Sequence, residues 1–210
     1  MLAPVCAACR EPLDHPTRGA VCDACWRATV PIAPLECDAL PPFITRATAI
    51  GPYEGRLRDV IHALKYDPRP TIARHLAARM RDAAADVLTG ADFAVPVPLH
   101  RSRERTRGFN QARELARHLG LPMADVLVRT RRTDTQADLP ADRRHANVRG
   151  AFAIHGTVAL EGRIVVLVDD VRTTGATLAA CAGVLLDAGV DEVRAVTAAK
   201  APLKDGPAAK

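Results

Sequence analysis

Apolar and polar positions in this chain repeat with two different periods, and the change between them marks out the elements. Across residues 56–66, Leu57, Val60, Ile61 and Leu64 recur at the spacing of one helix face. Residues 71–88 carry a second amphipathic pattern, separated from the first by Pro68 and Pro70. Short apolar runs at 47–50, 93–97, 126–128, 163–168 and 193–198 read as strands. Helical patterns at 111–119 and 176–188 fall between them, and residues 98–110 read as a polar loop. Strands alternating with helices in this way predict an α/β fold, a parallel sheet flanked by helices.

The two ends of the chain follow other rules. Residues 1–27 show little apolar periodicity but hold four of the six cysteines. Residues 28–43 contain Pro31, Pro34, Pro41 and Pro42 and read as a stiff linker. The expected organisation is a cysteine module at 1–27, the linker at 28–43, a main domain at 44–200 and a tail at 201–210.

Composition narrows the function classes. With 48% hydrophobic and 3% aromatic residues, the core is built from small and branched aliphatics. The formal charge is +5, and residues 101–149 hold twelve Arg, no Lys and six acids. Forked guanidinium groups suit phosphate and carboxylate recognition. No run approaches the length of a membrane helix, and residues 1–14 lack the pattern of a secretory signal. A reducing cytoplasmic location is therefore expected.

Cys6-x2-Cys9 and Cys22-x2-Cys25 are separated by twelve residues. Two such knuckles can close a tetrahedral S4 site, and soft thiolates favour structural Zn²⁺. Two disulfides are the alternative, which a reducing compartment disfavours. Cys37 has no assigned role, and Cys181 reads as a small core residue on a helix.

The segment VVLVDDVRTTGAT, residues 165–177, places two acids at a buried strand's end before a Thr/Gly turn and a helix. Ligands of parallel sheets bind beyond the carboxyl ends of strands. Turn N–H groups and a helix N-terminus favour an anion, and Asp169 and Asp170 can accept hydrogen bonds from vicinal hydroxyls. This segment resembles the signature of type I phosphoribosyltransferases that binds phosphoribosyl diphosphate (PRPP). By that resemblance Asp169 and Asp170 hold the ribose hydroxyls. Thr173, Thr174, Gly175, Ala176 and Thr177 wrap the 5′-phosphate, and Mg²⁺ accompanies PRPP.

Two further blocks are similar to the ComF family. VPVPLHRSRERTRGFNQ, residues 95–111, is similar to a hallmark whose loop contacts pyrophosphate in phosphoribosyltransferases. Arg107, Gly108 and Asn110 are the residues this implicates, with Asn110 also suited to cap a helix starting at Gln111. Residues 129–152 match the spacing of Arg129, Thr133, Gln136, Arg144 and Asn147 in a mobile lid of that family. Tyr53-Glu54-Gly55 and Leu64-Lys65-Tyr66 extend the similarity, with Lys65 a weak phosphate candidate at a helix end.

The resemblance thus implies a type I phosphoribosyltransferase fold behind a small zinc ribbon or knuckle. It implies a pentosyl-transferring class acting with PRPP or a related ribose phosphate, linked to DNA uptake in natural competence. No residue pattern names an acceptor, and fold alone does not establish activity. The alternative is a non-enzymatic single-stranded DNA-binding or adaptor protein of the competence machinery. Scarce aromatics leave few rings for base stacking on that alternative.

Overall fold

The computed structural model describes residues 4–29, 40–66, 70–131 and 150–201. Four strands form one parallel sheet: β1 (Ala47–Pro52), β2 (Phe93–Pro96), β5 (Ile164–Arg172) and β6 (Glu192–Lys200), in the order β1-β6-β5-β2. Helices α2 (Gly55–Tyr66), α3 (Pro70–Ala83) and α6 (Gln111–Arg117) pack on one side, and α7 (Ala176–Asp187) on the other.

Strand β5 shows why the sheet has two cores. Successive strand residues point to opposite faces. Val166 and Val168 join the cluster that holds Leu57, Ile61 and Leu76 of α2 and α3. Val165 and Leu167 join the cluster with Leu178, Cys181 and Leu185 of α7. Both faces are covered, so the strand reads as continuous apolar sequence.

Several expectations change in detail. Residues 98–110 are not a loop throughout: α5 (Arg101–Arg107) forms within them. Its sequence RSRERTR has no apolar stripe, so periodicity gave no signal, yet Arg and Glu are good helix formers. His100 caps the start by accepting from the Ser102 N–H at 3.2 Å, and Gly108 ends the helix at φ 81°. The helix expected at 71–88 breaks at Ala84 (φ −115°), giving α3 and a short α4 (Ala85–Leu88).

Strand β3 (Leu127–Arg129) does not join the main sheet. It pairs antiparallel with β4 (Phe152–Ile154) in a separate ribbon. Thr133, Gln136, Arg144 and Asn147 of the expected lid lie outside the described residues, as do Cys37 with most of the linker and residues 202–210 of the tail.

The cysteine module, with α1 (Asp23–Arg27), docks on α3 rather than standing apart. Cys6, Ala7, Ala20, Val21, Cys25 and Trp26 belong to the same buried cluster as Ile61, Leu64 and Leu76. Trp26 meets His75 edge to face with centroids 5.4 Å apart, and Arg79 donates to the Trp26 carbonyl at 3.0 Å. No helix among the described residues is long and apolar enough to cross a membrane.

Candidate functional site

A cleft of about 500 Å³ opens at the carboxyl edge of the sheet. Every strand contributes to it: Tyr53 follows β1, Val97 follows β2, Asp169 and Asp170 lie near the end of β5, and Ala201 follows β6. Parallel sheets bind ligands at this edge because strand-to-helix turns converge there.

β5 runs through both acids and ends at Arg172, four residues beyond the strand end expected from sequence. The two carboxylates therefore approach the cleft from opposite faces of one strand. Asp170 continues the side of Val166 and Val168 and meets Lys65 of α2, with Nζ and Oδ2 3.1 Å apart. Asp169 continues the side of Val165 and Leu167, where Arg129 and Cys181 are its electrostatic neighbours. Its Oδ1 accepts from the Asp170 N–H at 2.8 Å.

These surroundings separate the two acids chemically. Burial and the adjacent Asp170 push Asp169 up to about 7, against the opposing pull of the Asp170 N–H, Lys65 and Arg129. Burial draws the Lys65 ammonium down, but Asp170, Tyr53 and Asp169 more than offset this and leave it above its ordinary value. Lys65 also lies over the Tyr53 ring, 5.6 Å from its centroid. The sequence singled out Lys65 only weakly, since its partner is 105 residues away.

After β5 the chain turns through Thr173 and Thr174 into Gly175 (φ 79°), which caps α7. Thr174 Oγ1 accepts from the Ala176 N–H at 3.3 Å. Thr173 and Thr177 line the cleft. A side chain at Gly175 would lie 2.5 Å from Pro41 Cγ, so the end of the linker packs on this turn.

The opposite wall comes from the segment after β2. Asn110 is 3% exposed and both its amide atoms are engaged within the fold. Its Nδ2 donates to the Val97 carbonyl at 3.0 Å, and its Oδ1 accepts from the Ala112 N–H at 2.9 Å. This is the helix cap expected from sequence, and it pins α6 to the end of β2. Arg107 lines the cleft, donates to Gln111 Oε1 at 3.0 Å, and lies over Tyr66 at 5.7 Å. Arg103 and Arg129 line the same space, and Arg129 packs over Phe152. Arg101 and Arg105 are exposed on α5 and are not among the cleft residues. Gly108 supplies the left-handed turn, its N–H donating to the Glu104 carbonyl at 2.7 Å.

The ligand atoms of Cys6, Cys9, Cys22 and Cys25 all lie within 4.8 Å of one another. Cys6 and Cys25 sulfurs are 3.9 Å apart, as are those of Cys9 and Cys22. A disulfide needs about 2.05 Å, so these cysteines are unbridged. Four thiolates at about 2.3 Å from a tetrahedral ion stand about 3.8 Å apart, which the set matches. Burial raises the Cys6 thiol, but backbone N–H groups of Cys9, Cys22 and Ala8 outweigh it and bring Cys6 down to about 6. The Cys22 N–H sits 3.3 Å from Cys6 Sγ. This arrangement can hold a metal ion.

Comparison with known proteins agrees with this geometry. Residues 105–209 match the phosphoribosyl transferase domain. The DNA utilization protein YhgH of Escherichia coli (strain K12) is 33% identical, over 90% of this chain and 94% of that protein. Competence protein F of Haemophilus influenzae is 33% identical, over 75% of this chain and 74% of its own. Competence protein ComFC of Bacillus subtilis (strain 168) is 28% identical, over 88% and 79% respectively. Sheet topology, cleft and domain match define a type I phosphoribosyltransferase fold carrying an N-terminal four-cysteine cluster. Within that class, the chain belongs to the ComF family of phosphoribosyltransferase-like proteins.

Proposed function

We propose that the cleft binds a phosphorylated ribose such as PRPP, with the 5′-phosphate on the turn at 173–177 and the ribose hydroxyls on Asp169 and Asp170. The observation that carries this reading is the meeting of acceptor carboxylates, a Thr/Gly turn and cationic side chains around one cleft at the sheet's carboxyl edge. Carboxylates accept from hydroxyls, while backbone donors at the head of the twelve-residue helix α7 suit a phosphate. Arg107, with Gly108 shaping its turn and Asn110 pinning the following helix, faces the diphosphate end. The hard oxygens of Asp169 and Asp170 also suit Mg²⁺, which when bound would neutralise diphosphate charge. The protein's part in any pentosyl transfer is then to position the sugar and stabilise charge at its reacting carbon.

On this reading the four cysteines hold a structural Zn²⁺. The names of the relatives speak of DNA utilization and of competence, and on that basis we extend the reading toward a role in DNA uptake. A second reading, a single-stranded DNA-binding or adaptor protein, draws on those names and on the exposed Arg101 and Arg105 beside the cleft. Calorimetric titration with PRPP and Mg²⁺, set beside a salt-dependent titration with single-stranded DNA, separates the two. Saturable PRPP binding lost on changing Asp169 and Asp170 supports the first. DNA binding with a steep salt slope and no heat from PRPP supports the second and overturns the first.

A further inference from the structure

Lys65, in the last turn of α2, lines the cleft together with Asp170, and its Nζ stands 3.1 Å from Asp170 Oδ2. The Tyr53 ring lies 5.6 Å from the same ammonium, so the cation is held from two sides. Both members of the pair are mostly withdrawn from water, at 17% and 14% exposed, so their attraction is weakly screened. Asp169 is engaged as well, its Oδ1 accepting from the Asp170 N–H at 2.8 Å. One oxygen of each acid is therefore already taken by the protein itself.

The charge around the cleft acts in the same direction. Lys65, Arg103, Arg107 and Arg129 line it against the two carboxylates of Asp169 and Asp170. Four cationic side chains facing two acids attract a phosphate and oppose a further cation. A divalent ion seated on Asp170 would share that carboxylate with the Lys65 ammonium, and like charges so close repel strongly where water is scarce. Mg²⁺ is usually held by one or two carboxylates completed by substrate phosphates. A diphosphate brings those extra oxygens, whereas the single phosphate of ribose 5-phosphate is taken up by the turn at 173–177.

We infer that Lys65 is a built-in cation that keeps divalent metal off Asp170, so that the cleft takes Mg²⁺ only together with a diphosphate and binds ribose 5-phosphate without it. The statement about ribose 5-phosphate rests on the ribose phosphate reading above, while the exclusion of metal by Lys65 stands apart from it. Lys65 is a positioning residue in this scheme: it neutralises Asp170 and fixes where that carboxylate points.

Mn²⁺ takes the same oxygen ligands as Mg²⁺ and is followed by its electron paramagnetic resonance signal. It is titrated into the zinc-loaded full chain with no phosphate present, with thermal melts as the fold control. Lys65→Met should bind Mn²⁺ at least tenfold more tightly than the parent, and adding Asp170→Asn should abolish the gain. Lys65→Arg keeps the charge and should stay within about twofold of the parent. A Lys65→Met affinity equal to the parent's overturns the inference, as does a gain that survives Asp170→Asn or appears equally in Lys65→Arg. If Lys65→Met does not fold, the parent is compared with Asp170→Asn: equal Mn²⁺ binding supports the inference, and a site lost with Asp170 overturns it. Calorimetry with ribose 5-phosphate gives the second readout, since omitting Mg²⁺ should change the parent's affinity by less than twofold. A tenfold loss on omission overturns that half of the inference. A parent that binds no ribose 5-phosphate under either condition fails the ribose phosphate reading, and the Mn²⁺ comparison still decides the role of Lys65.

Discussion

Lys65 Nζ stands 3.1 Å from Asp170 Oδ2, joining the end of α2 to the end of β5 across the floor of the cleft. The two side chains are 17% and 14% exposed, so the pair is largely withdrawn from water. Removing one member of such a pair leaves the other poorly solvated. Lys65→Met is therefore expected to lower stability by about 1–3 kcal/mol, below the fully buried range because some water still reaches the pair. The double change Lys65→Met with Asp170→Asn should recover part of the loss. Urea unfolding of the four proteins measures the coupling, and strictly additive effects would show that the pair contributes nothing.

Asp169 gives the fold a pH dependence whose sign follows from its raised value. Its native value is about 7, against 3.8 for the unperturbed group. Between roughly those two values the native state keeps a proton that the unfolded chain has lost, so this term falls as pH rises. Below both values the group makes no difference. Asp169→Asn removes the titration. The stability of the parent minus that of Asp169→Asn should therefore decline between pH 4 and pH 7.5, as read by urea unfolding across that range. A flat or rising difference would contradict the raised value.

The paired carboxylates are expected to act on sugars rather than on anions in general. At pH 8, above the Asp169 value of about 7, changing both Asp169 and Asp170 to Asn removes two charge-assisted acceptors, each contributing roughly 1.5–3 kcal/mol. Affinity for ribose 5-phosphate should fall at least tenfold, while inorganic phosphate binds as well or better. Parallel losses for both ligands would assign these acids a structural role. Calorimetry with the two ligands, alongside a thermal melt, tells the cases apart.

Much of this site was legible in the sequence because its main segments are contiguous. Residues 165–177 encode a strand, two acids and a turn in one run, and the paired knuckles at Cys6–Cys9 and Cys22–Cys25 declare a four-sulfur cluster by spacing alone. The local pattern could not tell that Asp169 and Asp170 differ, because β5 was expected to stop before them. Only its continuation to Arg172 puts them on opposite faces, one against Lys65 and one toward α7. Helix α5 was hidden for another reason: its stability comes from propensity, a His100 cap and the Arg113–Glu104 bridge at 3.0 Å, none of which leaves an apolar period. Lys65 acquires its place through a tertiary contact with Asp170, which no local window contains.

The cysteine cluster shares its apolar core with α2 and α3, so metal loss should be felt beyond the module. About one equivalent of zinc is expected to copurify, and a Cys22→Ser, Cys25→Ser variant should lose it. Without the ion, Cys6, Cys25 and Trp26 lose the order that packs them near Ile61 and Leu76. The melting temperature of the whole chain should then drop by several degrees, a shift worth about 1–2 kcal/mol. Elemental analysis and calorimetry on both proteins check this. Retained zinc would remove the ligand assignment, and an unchanged melt with zinc lost would show the module to be energetically separate.

Gly175 is the position where the turn, the linker and backbone conformation meet. Its φ of 79° lies in the left-handed region, where any Cβ is strained by roughly 1–2 kcal/mol. A Cβ there would also lie 2.5 Å from Pro41 Cγ and 2.8 Å from Pro41 Cβ. Pro41 is buried on the turn and its ring cannot swing aside as a flexible side chain can. Gly175→Ala should therefore cost more than the backbone strain alone, about 2–4 kcal/mol. Pro41→Gly removes the ring and with it the clash, leaving only the strain. In the Pro41→Gly background the same Gly175→Ala change should then cost about 1–2 kcal/mol. Phosphate affinity gives the second readout, since a turn pushed off Pro41 should lose its aligned N–H groups and regain them when the ring is gone. Unfolding free energies and phosphate titrations of the four proteins complete the cycle. An equal cost of Gly175→Ala in both backgrounds would show that Pro41 does not constrain the turn.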